Sequence, residues 1–244
     1  MSGYIRESLP MELNHSIKKS KLNIKKDDLS EVIKKTFLAE NEILSSNDNI
    51  DSSLSGTTCV SVIYTPERLI VANIGDSRAI LGKQLANGTW TYENLSRDHK
   101  PTLPDEEKRI LDAGGIIRPM MFTDENGEKT YDGPLRVYMS SKPIPGLAMT
   151  RSFGDYYASL AGTISEPEIS VHSFTDEDKF MVLASDGLFE FIDSQEVVDI
   201  AKKYYLEDDI VSGCETLYSI SVNRWLKNEE DTVDDITIIL VFFE

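Results

Sequence analysis

Apolar residues recur along this chain with two distinct periods, and the switches between them mark out the elements. From Asp28 onward, Leu29, Val32, Ile33, Phe37 and Glu40 keep the 3.6-residue period of a helix with one inward face. Asp28 and Glu31 have the spacing of a capping box at its start. The polar run "SSNDNIDSSLSG" (45–56) ends the pattern. Four segments then read as strands: "TTCVSVIY" (57–64), "RLIVANI" (68–74), "SRAILG" (77–82) and "GTWTYENL" (88–95). The links "TPE" and "GD" are short enough for hairpins, and "NG" at 87–88 is itself a hairpin signal.

Further along, "PDEEKRILDA" (104–113) predicts a helix, with proline in its first turn, acids early and Gly114-Gly115 as its stop. Residues 116–146 carry the turn signals "ENG", "DGP" and "KPIPG" and read as a long surface excursion around one or two strands. "FMVLAS" (180–185) predicts a buried strand, and "SQEVVDIAKKYYL" (194–206) an amphipathic helix capped by Ser194. "DDIVSGCETLYSISVNRWL" (208–226) predicts a second helix despite Gly213, and "DITIILVFF" (235–243) a second buried strand. Strands gathered early, helices late and short links predict an α+β fold with antiparallel sheets.

Composition narrows the function classes. The 244 residues suffice for one large domain or two small ones. A net charge of −17 repels phosphate backbones and anionic lipid, which speaks against nucleic acid and membrane partners. Cys59 and Cys214 give neither a disulfide framework nor zinc-site spacing, so a reducing compartment is expected. "MSGYIRESLPMEL" lacks the continuous apolar core of a signal peptide, and "ITIILVFF" (236–243) is too short to span a bilayer. The expected location is cytoplasmic or nuclear.

The sharpest chemical signal is aspartate at strand ends: Asp186 after 180–185, Asp234 and Asp235 before 236–243, Asp98 after the strand ending near Leu95. Hard cations such as Mg²⁺ and Mn²⁺ take oxygen ligands, and a strand holds a carboxylate rigidly. Two such ions can share a water and lower its pKa. The same residue at a strand end is also ordinary turn chemistry.

The order of several segments resembles the protein phosphatase 2C family of metal-dependent serine/threonine phosphatases. They are "SGTT" (55–58), "VANIGDSRAIL" (71–81), "LSRDHKP" (95–101), "EEKRILDAGG" (106–115), "PGLAMTRSFGD" (145–155), "ISEPEI" (164–169), "FMVLASDGLFE" (180–190) and "DDITIILVF" (234–242). "DGPLRV" (132–137) resembles the branch found in plants and protists. The resemblance implies a single domain over 1–244, a four-layer α-β-β-α sandwich of two antiparallel sheets flanked by helices. It implies hydrolysis of phosphoserine and phosphothreonine in protein substrates at a pair of Mg²⁺ or Mn²⁺ ions. Asp186 and Asp234 match family metal ligands, and Asp98 matches the aspartate that helps bind a third, more weakly held ion. Asp76, Asp155, Arg78, Arg151 and His99 are read as scaffold, with the arginines clamping carboxylates or carbonyls and His99 orienting the "DHKP" turn. Cys59 is read as a small core residue, and Thr57 and Thr58 as strand formers.

Departures from the family pattern are as informative. Neither "DGHGG" nor "DGH" occurs; the histidines are His15, His99 and His172, and none follows Asp-Gly. A Glu-Asp pair in an early strand is also missing. "YIRESLPMEL" (4–13) resembles the helix that follows "DGHGG", so the chain is expected to be N-terminally truncated relative to the family domain, without the aspartate that bridges the metals. Asp235 stands where the family usually has Asn, and Glu190 where it often has Asp. One expectation is therefore an enzyme of this class seen as a fragment or incomplete gene product, inactive by itself. Its alternative is a pseudophosphatase, a protein-binding module docking partners through 116–146. A different metallohydrolase is disfavoured by the lack of a His-rich ligand pattern. Oligomeric state stays open.

Overall fold

Most elements lie where the hydrophobic periods put them. The computed structural model describes residues 1–123, 125, 127–229 and 232–243; Asn126 of the "ENG" turn signal lies outside the described residues. The chain divides into two compact units.

The first unit holds Met1–Cys59, Ile74–Asp76 and Asp98–Glu168. Helix α1 (Ser2–Ser20) buries Ile5, Leu9, Leu13 and Ile17, a stripe at four-residue steps. Helix α2 (Ser30–Ser45) buries Ile33, Phe37 and Leu44 with Thr36 and Glu40. The expected capping box gives way to a shorter loop bond, in which Asp28 Oδ1 accepts the Ser30 amide at 2.9 Å. Glu40, buried on the apolar face, accepts the Ser8 hydroxyl at 2.9 Å. Phe37 stacks on Phe153, with ring centroids 5.3 Å apart.

Strand β1 (Gly56–Thr57) is cut off at Thr58 from β2 (Cys59–Tyr64), so the predicted run 57–64 is two strands. β1 pairs antiparallel with β9 (Phe153–Gly154). Helix α3 (Pro104–Asp112) starts with its proline as predicted. The excursion after it is more ordered than its turn signals suggest. β6 (Gly115–Thr123), β7 (Lys129–Met139) and β8 (Pro145–Leu147) form an antiparallel sheet. Residues 129–135 of β7 are exposed without alternation, so period-2 reading has nothing to detect there. Helix α4 (Tyr156–Ser159) completes the unit.

The second unit holds Val60–Asn73, Ser77–Arg97 and the chain from Ile169 onward. β2, β3 (Arg68–Ile74) and β10 (Glu168–Ser173) form one sheet in the order β10-β3-β2. β4 (Arg78–Gln84), β5 (Trp90–Asn94), β11 (Asp178–Ala184) and β12 (Ile238–Phe242) form another in the order β12-β11-β4-β5. The "GD" link at 75–76 is therefore a crossing between sheets and not the expected hairpin. The Gly75 amide and carbonyl are both taken by His99, at 3.1 and 2.9 Å, so neither is left to close a hairpin.

Strand pleating explains the layering. Phe180, Val182 and Ala184 point one way from β11, onto Leu188 of α5 (Asp186–Phe189), Val197 and Ala201 of α6 (Ser194–Glu207) and Leu217 of α7 (Ile210–Asn228). Met181 and Leu183 point the other way, onto Leu69 and Val71 of β3. Helices, one sheet and a second sheet thus stack within this unit. Asp193, not Ser194, caps α6, accepting the Glu196 amide at 2.9 Å. Ser194 is the first helical residue instead, and its hydroxyl accepts from Arg78. The fold is α+β with antiparallel sheets.

Candidate functional site

Asp186 stands where β11 ends and α5 begins, half-buried. β12 starts at Ile238, later than the predicted 235, so Asp234 and Asp235 sit in an irregular lead-in and are exposed. That lead-in runs beside the end of β11. The Ser185 amide donates to Thr237 O at 3.1 Å. The Ser185 hydroxyl donates to Asp235 O at 2.9 Å and accepts the Thr237 amide at 3.0 Å. Gly187 lies so close that a Cβ on it would be 2.5 Å from Asp235 O; only glycine admits this approach. The Gly187 carbonyl is itself held from α7, by Ser221 Oγ at 2.5 Å and Trp225 Nε1 at 2.7 Å. The fold therefore brings the segments carrying Asp186 and Asp234 together. Asp98 belongs to the other unit, half-buried beside the anchored His99.

The donors are carboxylates, and magnesium commonly binds through one or two carboxylates while keeping several waters. Asp186 and Asp234 are of the donor type that such a site uses. Among the described residues, no three His, Cys, Asp or Glu side chains are grouped so that they could hold a metal ion.

The residues read as scaffold have definite partners. Arg151 donates to Glu106 Oε1 through Nε and Nη2, at 3.1 and 2.7 Å, and through Nη1 to Glu166 O at 3.0 Å. Arg109 donates to both Glu106 oxygens at 2.7 Å, and the Thr150 hydroxyl adds a further bond. Burial pushes the Glu106 carboxyl up, but these hydrogen bonds prevail and hold it well below the usual carboxylate range. Arg151 is thus committed to a carboxylate. Sequence reading took Glu106 only as an early helix acid; Arg109 three residues on was the available hint. Arg78 reaches Ser194 Oγ at 3.1 Å and lies over the Phe189 ring at 4.6 Å. Glu190 is exposed and lines an open groove of about 940 Å³ with Arg78, Phe189, Arg224 and Lys227. Asp155 is buried at φ 49°, and burial pushes its carboxyl up.

A second polar cluster, unforeseen in the sequence, sits at the opposite end of β11. His172 of β10 lies between Glu93 of β5 and Asp178, at 3.2 and 2.8 Å, and Lys83 of β4 reaches Glu93 at 2.9 Å. Burial pushes the Asp178 carboxyl up, but bonds from His172 and the Thr175 amide leave it below its ordinary value. The seven residues of β11, Asp178 to Ala184, span roughly 20 Å and separate this cluster from Asp186 beyond the strand's far end, so it is bracing and not part of the candidate site.

Cys59, expected as a core residue, is half-buried at the start of β2. Burial pushes its thiol up to about 12, so almost no thiolate exists near neutrality. Native protein at pH 8 is expected to leave Cys59 unmodified by iodoacetamide over an hour, with labelling appearing in denaturant. Prompt native labelling at Cys59, read by peptide mass spectrometry, would contradict this.

Comparison with known proteins follows the same lines. The profile of a family described as "Protein phosphatase 2C" matches residues 2–214. "Probable protein phosphatase 2C 35" of Arabidopsis thaliana is 38% identical over 225 residues, which is 88% of this chain and 63% of that protein. "Probable protein phosphatase 2C 52" of the same plant is 36% identical over 88% of this chain and 44% of its own length. This chain thus spans 44% to 63% of the length of these two relatives. The crystal structure of a serine-threonine phosphatase 2C from Toxoplasma gondii superposes with a TM-score of 0.74 at 22% identity, covering 98% of this chain and 77% of that one. A sex-determining protein of C. elegans gives a TM-score of 0.73 at 19% identity, covering 98% and 52%. These two likenesses concern the fold.

Proposed function

Because the chain belongs to the protein phosphatase 2C family, we propose that its 244 residues form most of a single phosphatase domain. That domain removes phosphate from phosphoserine and phosphothreonine in proteins, using a water activated at a pair of Mg²⁺ or Mn²⁺ ions. The observation that carries the reading is the close approach of Ser185–Gly187 to Asp235–Thr237. Ala184 and Ile238 are the last pair of the β11–β12 ladder, and beyond it Ser185 bonds Thr237 and Asp235. Asp186 and Asp234 would share a cation there, and Asp98 would serve a third. Such a cation supplies a Lewis acid and a water of lowered pKa. Asp235 adds negative charge beside Asp234 and favours cation binding. Arg151, committed to Glu106, does not bind substrate phosphate.

The bridging carboxylate and its "DGH" context are not among these residues. Two carboxylates hold Mg²⁺ weakly, since the ion gives up its waters reluctantly. The chain by itself is expected to hydrolyse a phosphothreonine peptide with Mn²⁺ at a rate close to buffer alone. Substantial Mn²⁺-dependent turnover that disappears in Asp186→Ala would show instead that these residues make a working site.

One observation favours the second reading, a binding module. The β6–β7 hairpin exposes Met120, Phe122 and Tyr131, apolar surface suited to a protein partner. The net charge of −17 likewise suits protein partners better than nucleic acid, and no described helix is long and apolar enough to cross a membrane. Partner capture that survives Asp186→Ala but fails in a Phe122→Ser, Tyr131→Ser variant would support this reading.

A further inference from the structure

A carboxylate pair separated in sequence needs something that fixes its spacing, and among the described residues the Ser185 side chain bonds directly to the segment carrying Asp234. Ser185 precedes Asp186, and its hydroxyl closes two bonds to the facing segment, one to Asp235 O at 2.9 Å and one from the Thr237 amide at 3.0 Å. No other side chain before Asp186 in β11 is polar after Lys179. The ladder alone does not set this geometry, because β11 ends at Ala184 and β12 starts at Ile238. Beyond that pair, the backbone contributes the Ser185 amide bond to Thr237 O at 3.1 Å. From the other side, Gly187 admits Asp235, and its carbonyl is tied down by Ser221 and Trp225. Asp186 is thus bracketed by two residues that both grip the strand leading from Asp234.

We propose that Ser185 is a positioning residue, a latch that fixes the Asp234–Thr237 segment against Asp186 and so sets the spacing of the two carboxylates for a divalent cation. This rests on the reading of Asp186 and Asp234 as metal ligands. Ser185 touches no metal in this scheme. It acts as the outer hydrogen-bond partners of metal ligands do, and losing such a partner typically costs about 10- to 100-fold in metal affinity.

The test titrates the 244-residue chain with Mn²⁺ alone, read by calorimetry and by the electron paramagnetic resonance of free ion. Ser185→Ala is expected to weaken Mn²⁺ binding about tenfold, and Ser185→Thr, which keeps the hydroxyl, to restore it. A second readout needs no metal: hydrogen exchange of the Thr237 amide speeds up in Ser185→Ala and not in Ser185→Thr. Should Ser185→Ala fold poorly, Ser185→Cys keeps the volume and replaces the hydroxyl with a weakly bonding thiol. Asp186→Asn separates the two ways of failing. If it abolishes Mn²⁺ binding while Ser185→Ala and Ser185→Cys bind as the parent does, the latch is overturned and the ligand assignment stands. If Asp186→Asn binds Mn²⁺ as well as the parent does, the ligand assignment falls and the latch falls with it.

Discussion

Gly75→Ala is expected to lower the melting temperature by about 6–12 °C, from a loss of about 3 kcal/mol at 2–4 °C per kcal/mol for a chain of this size. Gly75 has φ 97°, where any residue with a Cβ is strained by about 1–2 kcal/mol. A Cβ there would also lie 2.3 Å from Thr58 Cγ2 and 2.7 Å from Thr58 Cβ. Thr58 is β-branched and cannot swing aside cheaply, and forcing extra volume into packed surroundings costs about 1–3 kcal/mol. His99 holds both backbone groups of Gly75, so the turn cannot relax away from the collision. Gly133→Ala is the control, since Gly133 has φ 81° with open space around its missing Cβ. It should lose only the strain. Equal drops in the two variants, by thermal denaturation, would overturn the collision.

Arg151→Met should cost about 3 kcal/mol at pH 7, the low end for breaking a buried ion pair. Arg151 is one of two arginines compensating Glu106, whose side chain is fully buried. Glu106→Gln removes the charge but keeps the shape and should cost comparably. The pH dependence identifies the mechanism. The folded Glu106 carboxyl lies below its ordinary value of 4.5, so its stabilisation is complete above that value and fades as pH falls toward the folded one. In Arg151→Met the folded value moves back toward 4.5, so this variant loses less on acidification. Denaturant curves of parent and variant should therefore stand apart at pH 7 and converge below about pH 3. Parallel curves across that range would mean that Arg151 acts by packing alone.

These two expectations show how unevenly the sequence spoke. The arginine of "TRSFGD" was legible as a clamp, because a guanidinium in a tight turn motif usually meets a carboxylate or carbonyl. Its partner was not, because "PDEEKRILDA" offers several acids and only folding decides which is sealed from water. The sheet over 115–147 was legible only as one or two strands in a surface excursion, for a different reason: its exposed stretch carries no alternation to read. Asp98 was singled out by its resemblance to the "DHKP" motif, and its neighbour His99, expected to orient that turn, bonds to both backbone groups of Gly75. The cluster of Lys83, Glu93, His172 and Asp178 joins four strands, and none of its members is marked by its neighbours in sequence.

By itself, the sequence determined the class of fold, most strands and helices and the family, and it singled out Asp186 and Asp234 for the ligand proposal. It could do so because inward and outward faces follow local periods of two and 3.6 residues, and because a motif carries its residues in a fixed order. Only the tertiary structure decided that "GD" crosses between sheets, that Glu106 is buried, and that Ser185 reaches Asp235 across fifty residues of chain. Those are long-range backbone and hydrogen-bond contacts. Their partners are chosen by how the layers pack, and nothing in the spacing of nearby residues records that choice.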